Sequence, residues 1–374
     1  MKAQIYLLIF IISTTTYSQD QIPSNDAKDE KVWDWTTLGP TNDKRWAEQE
    51  GFAFDSKRKW QTDAVLIIKD DNIVYEKYAH GFTQNKPHRL WSISKSFASA
   101  LIGKRLSQKG WPIIKKASDV LEELNKPIKK NITFRDFLQM SSGLAWNEFY
   151  EGNPFESHVV DMLYIENYKD MGLFTATRKA KARPGKIFNY SSGETNLLMK
   201  LLKQTFTSQE EYDNYPWDVL FNPIGITTAT WEQDQAGNFV GSSYLFMKTR
   251  DLARFGRLYI KKGQWNKDQE IIPQNFVIDS LKAAPASCQT YRKAKTDSLT
   301  YGYHWWLNQE CPEKNKRSDP GVTEELFMAL GHQGQVMAIF PKEKVIAIRL
   351  GADKLEKFDR NSWIKKVYKE LEVH

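Results

Sequence analysis

The 374 residues are enough for one large core or for two closely packed subdomains. Hydrophobic residues make up 41% and charged ones 26%, a balance that excludes a disordered chain and fits an ordinary globular one. The formal charge of +7 is scattered among acids, and its densest basic run, KPIKK at 126–130, is too short for the clustered basic face that a nucleic-acid partner needs.

The chain opens like a secretion signal. Lys2 gives the positive end, residues 5–12 an apolar run too short to span a membrane, and Thr16-Tyr17-Ser18 a small-x-small cleavage site before Gln19. We therefore expect residues 1–18 to be removed and the mature chain to be periplasmic or secreted, without stable membrane insertion. Residues 19–60 read as a polar arm broken by Pro23, Gly39 and Pro40, with one short helix around 46–50. Two β-rich runs, 64–69 and 73–78, flank Asp70-Asp71-Asn72 and predict a hairpin. A loop over 81–89 then leads into a helix near Ser92.

Between 111 and 130 the run SDVLEELNK predicts a helix bracketed by Pro112 and Pro127. Thr133 is placed to cap a short helix through Met140, and helical spacing recurs over 158–168 and 194–206. Asp251 is expected to cap a helix over 252–261, ended by Gly263. Three short β-rich runs follow at 326–330, 335–340 and 345–350, and a last amphipathic helix over 359–371 carries Trp363, Val367 and Leu371 on one stripe. Strands at both ends with helices between predict an α/β fold: an antiparallel sheet completed by the two ends of the chain and flanked by helices. A mostly helical subdomain, roughly 96–235, is inserted in it.

Two cysteines, Cys288 and Cys311, are able to pair in an oxidising compartment, and we expect a disulfide. The six histidines (80, 88, 158, 304, 332, 374) show no metal-binding spacing, so no metal is expected.

Chemistry concentrates in LWSISKSFASALIG, residues 90–103. Ser92 and Lys95 stand one helical turn apart on one face. The apolar run after them favours burial, and burial disfavours an ammonium, so the lysine is able to take a proton from the serine. Amides at the helix start would stabilise an anion there. The same spacing also suits a helix cap with a solvated lysine, and only later motifs distinguish the two.

Those motifs are Tyr190-Ser191-Ser192 and His332-Gln333-Gly334. With Ser92-Ile93-Ser94-Lys95 they form an ordered set that resembles the serine β-lactamase and penicillin-binding-protein superfamily, most nearly class C β-lactamases and the related esterases, amidases and D-amino-acid peptidases. ITFRDFLQMSSGL, RPGKIFNYSSGETNLL and TRDLARFGRLYIKKGQW share the likeness. The resemblance implies a hydrolase domain over 61–371, an acyl-enzyme on Ser92, and Lys95 with Tyr190 as proton carriers. It implies an oxyanion hole from the Ser92 and Gln335 amides, and substrate contacts at Ser192, His332 and Gly334. No cofactor is implied, and the partner is a small-molecule or peptide substrate.

Two departures carry information. Ser192 stands where relatives often have asparagine, and His332 stands where lactamases have a permanently charged lysine. Both favour an ester or amide hydrolase. A D-amino-acid peptidase or β-lactamase is the second reading, and a catalytically silent relative that binds cell-wall fragments or a partner is the third. The oligomeric state is left open.

Overall fold

Strand β1 (Thr62–Lys69) is buried at nearly every position because both faces of the sheet it joins are covered. It turns at Asp70-Asp71, both at positive φ, into β2 (Asn72–Tyr78), giving the expected hairpin. The computed structural model describes residues 46–372 apart from 56, 59, 150–155, 166, 291–298, 312–316, 318 and 355–357. The expected signal peptide and most of the expected arm lie outside the described residues. The helix expected around 46–50 runs over Ala47–Ala53.

After β2 come two-residue β3 (His88–Arg89), β4 (Thr230–Trp231) and β5 (Leu245–Met247), which form a small sheet in the order β3-β5-β4. A hairpin of β6 (Gln264–Asn266) and β7 (Gln269–Glu270) follows. The chain then returns to the main sheet through β8 (Thr300–Tyr301), β9 (Trp306–Leu307), β10 (Phe327–Gly331), β11 (Gln335–Phe340) and β12 (Val345–Gly351). That sheet has seven strands in the order β2-β1-β12-β11-β10-β9-β8, every pair antiparallel. The first and last long strands are thus neighbours, second and third from one edge.

One face of the sheet meets the two terminal helices. Phe52 and Ala53 join Trp363, Ile364, Val367 and Leu371 of the helix Arg360–Glu372 over Val65, Ile67, Val336, Ala338 and Ala347. Against the other face lies the helix Thr249–Ile260, where Gly256 permits close approach: a Cβ there would stand 3.1 Å from Ile346. The expected fold class holds, an antiparallel sheet with helices on both faces and a mostly helical excursion between β2 and β8.

Local expectations fare unevenly. Thr133 caps the helix Phe134–Leu138 in a reciprocal box with Asp136, as the sequence predicts. The SDVLEELNK helix does not form. Three separate 3-10 turns, Ala117–Asp119, Glu122–Leu124 and Lys129–Asn131, occupy that stretch, with Leu121 extended between the first two. A run this short between prolines cannot repay helix nucleation, and the Lys116–Thr133 bridge closes it as a loop. Over 158–168, a single α-turn His158–Val160 passes into a π-turn Asp161–Ile165 and a 3-10 turn Asn167–Lys169. Asp251 is not the cap of its helix. It lies in the first turn, where its carboxylate accepts from the amide and hydroxyl of Thr228 at 3.2 and 2.6 Å.

Cys288 and Cys311 are joined, with Cα atoms 5.4 Å apart. The closed segment carries β8 and β9. Its loop entropy corresponds to about 3 kcal/mol of stability, so the double variant Cys288→Ser/Cys311→Ser should lose about that much in denaturant unfolding. An unchanged midpoint in a reducing buffer would contradict this.

Candidate active site

Three small hydroxyl residues, Ser94, Ser96 and Ser99, line the first turns of the helix Ser94–Gln108 and let it bury almost completely. Ser96 and Ser99 donate to the carbonyls of His304 and Tyr303 at 2.7 and 3.0 Å, which fixes the helix against the segment before β9. Just ahead of it, Trp91 sits at φ +51, a left-handed conformation that costs energy for a bulky residue and sets Ser92 on the turn that follows. Ser92 remains half-buried and reachable from solvent.

Lys95 is 1% exposed. Its Nζ donates to Ser92 Oγ at 2.8 Å, Ser192 Oγ at 3.0 Å and the Ser242 carbonyl at 3.1 Å. Burial pulls its pKa down to about 8, against the opposing pull of the Glu148 carboxylate.

The directions of these bonds are constrained. Ser242 offers a carbonyl, which only accepts. Ser192 has one hydroxyl proton and gives it to Glu148 Oε1 at 2.5 Å, so toward Lys95 its oxygen also accepts. Two N–H groups of Lys95 are therefore committed. When the ammonium loses a proton, the lone pair is left facing Ser92 Oγ, the one partner able to donate. Glu148 fixes this polarity: its Oε2 also accepts from the Ser192 amide at 2.9 Å and from the Trp146 indole. That amide begins the helix Ser192–Lys203, capped by Ser191, where the helix dipole favours an anion.

Tyr190 completes the group. Lys95 Nζ lies 4.9 Å from the centroid of its ring, which stacks on Trp306 at 5.3 Å and meets Tyr301 edge-on. His304, buried behind Lys95, donates from Nδ1 to the Leu138 carbonyl at 3.0 Å, so its Nε2 accepts from Thr195. Burial, aided by the Lys95 cation, lowers its pKa to about 3 and keeps it neutral.

The third motif occupies the tight turn between β10 and β11. Trp91 links it to the first: its indole donates to Gln333 Oε1 at 3.2 Å, and its ring meets His332 edge-on at 5.2 Å. Beneath the turn a fully buried pair, Arg349 and Asp353, bonds at 2.7 Å, and Arg349 also donates to the Gly334 carbonyl at 2.8 Å. A Cβ on Gly334, whose φ is +79, would fall 2.2 Å from Asp353, so this pair accounts for the glycine. The Gln335 side chain bonds both backbone groups of Gly351, at 2.6 and 3.0 Å, and holds the start of β11 in place.

The beta-lactamase family model matches residues 53–366. The chain belongs to the beta-lactamase family. A 6-aminohexanoate-dimer hydrolase of Paenarthrobacter ureafaciens is 22% identical over 302 residues, covering 78% of this chain and 72% of the relative. Among solved structures, the octameric penicillin-binding protein homologue of Pyrococcus abyssi superposes with a TM-score of 0.65 at 19% identity, covering 87% of this chain and 76% of that one. A D-stereospecific amidohydrolase from a Streptomyces species gives 0.63 at 12% identity, with 86% and 97% covered.

In this member of the family, Ser92, Lys95, Tyr190 and Ser192 come together as the sequence predicts, and the turn with His332, Gly334 and Gln335 adjoins them through Trp91. Sequence reading missed Glu148, Ser242 and the Arg349–Asp353 pair. Of the tryptophans nearby, Trp306 backs Tyr190, Trp146 reaches Glu148, and Trp305 is wholly core.

A base that must be a free amine loses activity as pH falls through its pKa. The rising limb of kcat/KM should therefore centre near pH 8. Glu148→Gln should move that limb to lower pH, because the carboxylate that favours the ammonium is gone while an amide oxygen still accepts from Ser192. Glu148→Ala, which frees the Ser192 proton, should lower kcat by at least about tenfold. A limb that stays put in Glu148→Gln would separate Glu148 from Lys95.

Proposed function

We propose that the chain is a serine hydrolase of the class C-like branch, acting on carboxylic esters or amides. The observation that carries this is the forced polarity at Lys95, whose free amine faces the Ser92 hydroxyl. Ser92 Oγ attacks the substrate carbonyl while its proton passes to Lys95. The Ser92 and Gln335 amides hold the oxyanion. Tyr190 and Lys95 return the proton to the leaving group, and water, activated by the same pair, releases the acyl group. Ser192 and His332 complete the substrate-facing wall.

The third motif supports esters and amides over β-lactams, since His332 is no permanent cation for a lactam carboxylate. The likeness to a 6-aminohexanoate-dimer hydrolase and to a D-stereospecific amidohydrolase agrees with that choice. Export to the periplasm or medium is part of the same proposal, and the Cys288–Cys311 bond suits an oxidising compartment.

A fluorophosphonate probe read by mass spectrometry tests the nucleophile. Ser92 should be labelled in the native chain and unlabelled in a folded Ser92→Ala variant. In a panel of p-nitrophenyl esters, D-amino acid amides and nitrocefin, an ester or amide should have the highest kcat/KM. Nitrocefin at the top would replace this reading with the lactamase one. Lys95→Ala and Tyr190→Phe should each reduce kcat steeply, with the double variant hardly worse than either, because both serve one proton path. Fully additive losses would mean separate paths.

A further inference from the structure

Arg89, three residues before Ser92, is held against three aromatic faces. Its guanidinium carbon lies 4.9 Å from the ring centroid of Trp91, 5.1 Å from Phe246 and 5.6 Å from Tyr244. Among the described residues no carboxylate, carbonyl or hydroxyl is in hydrogen-bond or ion-pair contact with it. Glu232 feels the cation without pairing to it, its carboxyl raised by burial and lowered by Arg89. A half-buried arginine that commits none of its five donors to the described residues is well suited to a planar anion, which its fork binds in two parallel bonds.

The surroundings place this cation beside the reacting pair. Trp91 adjoins Ser92 and reaches Gln333 of the third motif. Tyr244 follows Ser242, whose carbonyl receives Lys95. Thus both chain segments that cradle the guanidinium also touch the Ser92–Lys95 pair. Tyr244 shares a hydrogen bond with the hydroxyl of Tyr164, a residue 42% exposed. Two hydroxyls joined by one bond spend one proton between them and leave the other for a ligand. Tyr190, which serves the leaving group in this reading, packs on Trp306 and Tyr301, a different set of rings from the Trp91, Phe246 and Tyr244 that hold Arg89. An arm that reaches Arg89 is therefore the acyl arm.

We propose that Arg89 and the Tyr164–Tyr244 hydroxyl pair form a carboxylate-binding subsite for the acyl arm, so that the preferred substrates are half-esters or half-amides of dicarboxylic acids. This rests on the serine hydrolase reading and names its substrate class. It also sets the substrate carboxylate apart from the third motif, so the lack of a permanent cation there is no obstacle to an anionic substrate.

The test compares mono-p-nitrophenyl adipate with p-nitrophenyl hexanoate, which share a leaving group and chain length. The native enzyme should favour the adipate half-ester in kcat/KM by about tenfold or more, the scale of one charge-assisted contact. In Arg89→Met this ratio should fall about tenfold, chiefly through KM, and Arg89→Lys should give an intermediate ratio, because a point charge cannot form the fork. The ratio is independent of the fraction of correctly folded enzyme. A native ratio near one, or a ratio unchanged in Arg89→Met, overturns the subsite. Titration calorimetry with adipate reads the subsite without turnover. Binding lost in Arg89→Met upholds it even if Ser92 proves unreactive, and no binding to the native chain overturns it.

Discussion

A proton-transfer site needs the direction of its hydrogen bonds fixed as much as their lengths. Around Lys95 that direction is decided two contacts away from the nucleophile, where Glu148 accepts the Ser192 proton and so turns the Ser192 oxygen into a fixed acceptor. Remove that carboxylate and Ser192 is free to donate toward Lys95, which would aim the lone pair away from Ser92. Serine in place of an amide side chain makes this control possible. A hydroxyl has a single proton, so committing it leaves no ambiguity, whereas an amide presents donors and an acceptor on separate atoms. The carboxylate also opposes the desolvation of Lys95, and the balance leaves the amine near pH 8. One residue thus sets both the orientation and the basicity of the base.

A second buried charge supports the other wall. Arg349 and Asp353 are both fully buried under the third-motif turn. A pair of this kind contributes little net stability over an apolar substitute, because desolvating both ions offsets their attraction. Its use here is geometric. Arg349 also donates to the carbonyls of Gln333 and Gly334 and to that of Gln61 ahead of β1, tying the turn to the strand that opens the sheet.

Much of this was legible in the residues. The β1–β2 hairpin, the terminal helices, the capping box at Thr133 and the gathering of Ser92, Lys95 and Tyr190 all follow from local pattern or from motif order. What escaped was set by contacts distant in sequence. Glu148 carries no signal of its own, since a carboxylate after an aromatic stretch reads as a surface residue until Ser192 is placed beside it. Strands β8 and β9, two residues each, are too short to show alternation and exist because β10 supplies their ladder. The helix read over 111–130 failed for the opposite reason: local composition favoured it, but prolines and a bridge to Thr133 closed the segment as a loop. Arg89 looked like an ordinary loop cation until β5 brought Tyr244 and Phe246 against it.

The pairing of β1 with β12 joins residues 62–69 to residues 345–351. During synthesis, therefore, the first strand emerges long before its partner β12 exists, and most of the chain must be made before the sheet can close. Contacts so distant in sequence fold slowly. The site inherits this order, since Ser92 belongs to the early part of the chain while Gln335 and the Arg349–Asp353 support belong to its last tenth or so. A chain stopped short of β12 would possess Ser92 and Lys95 but lack the strand that supports the turn before Gln335. The groups around Ser92 are thereby brought together only when translation is nearly finished.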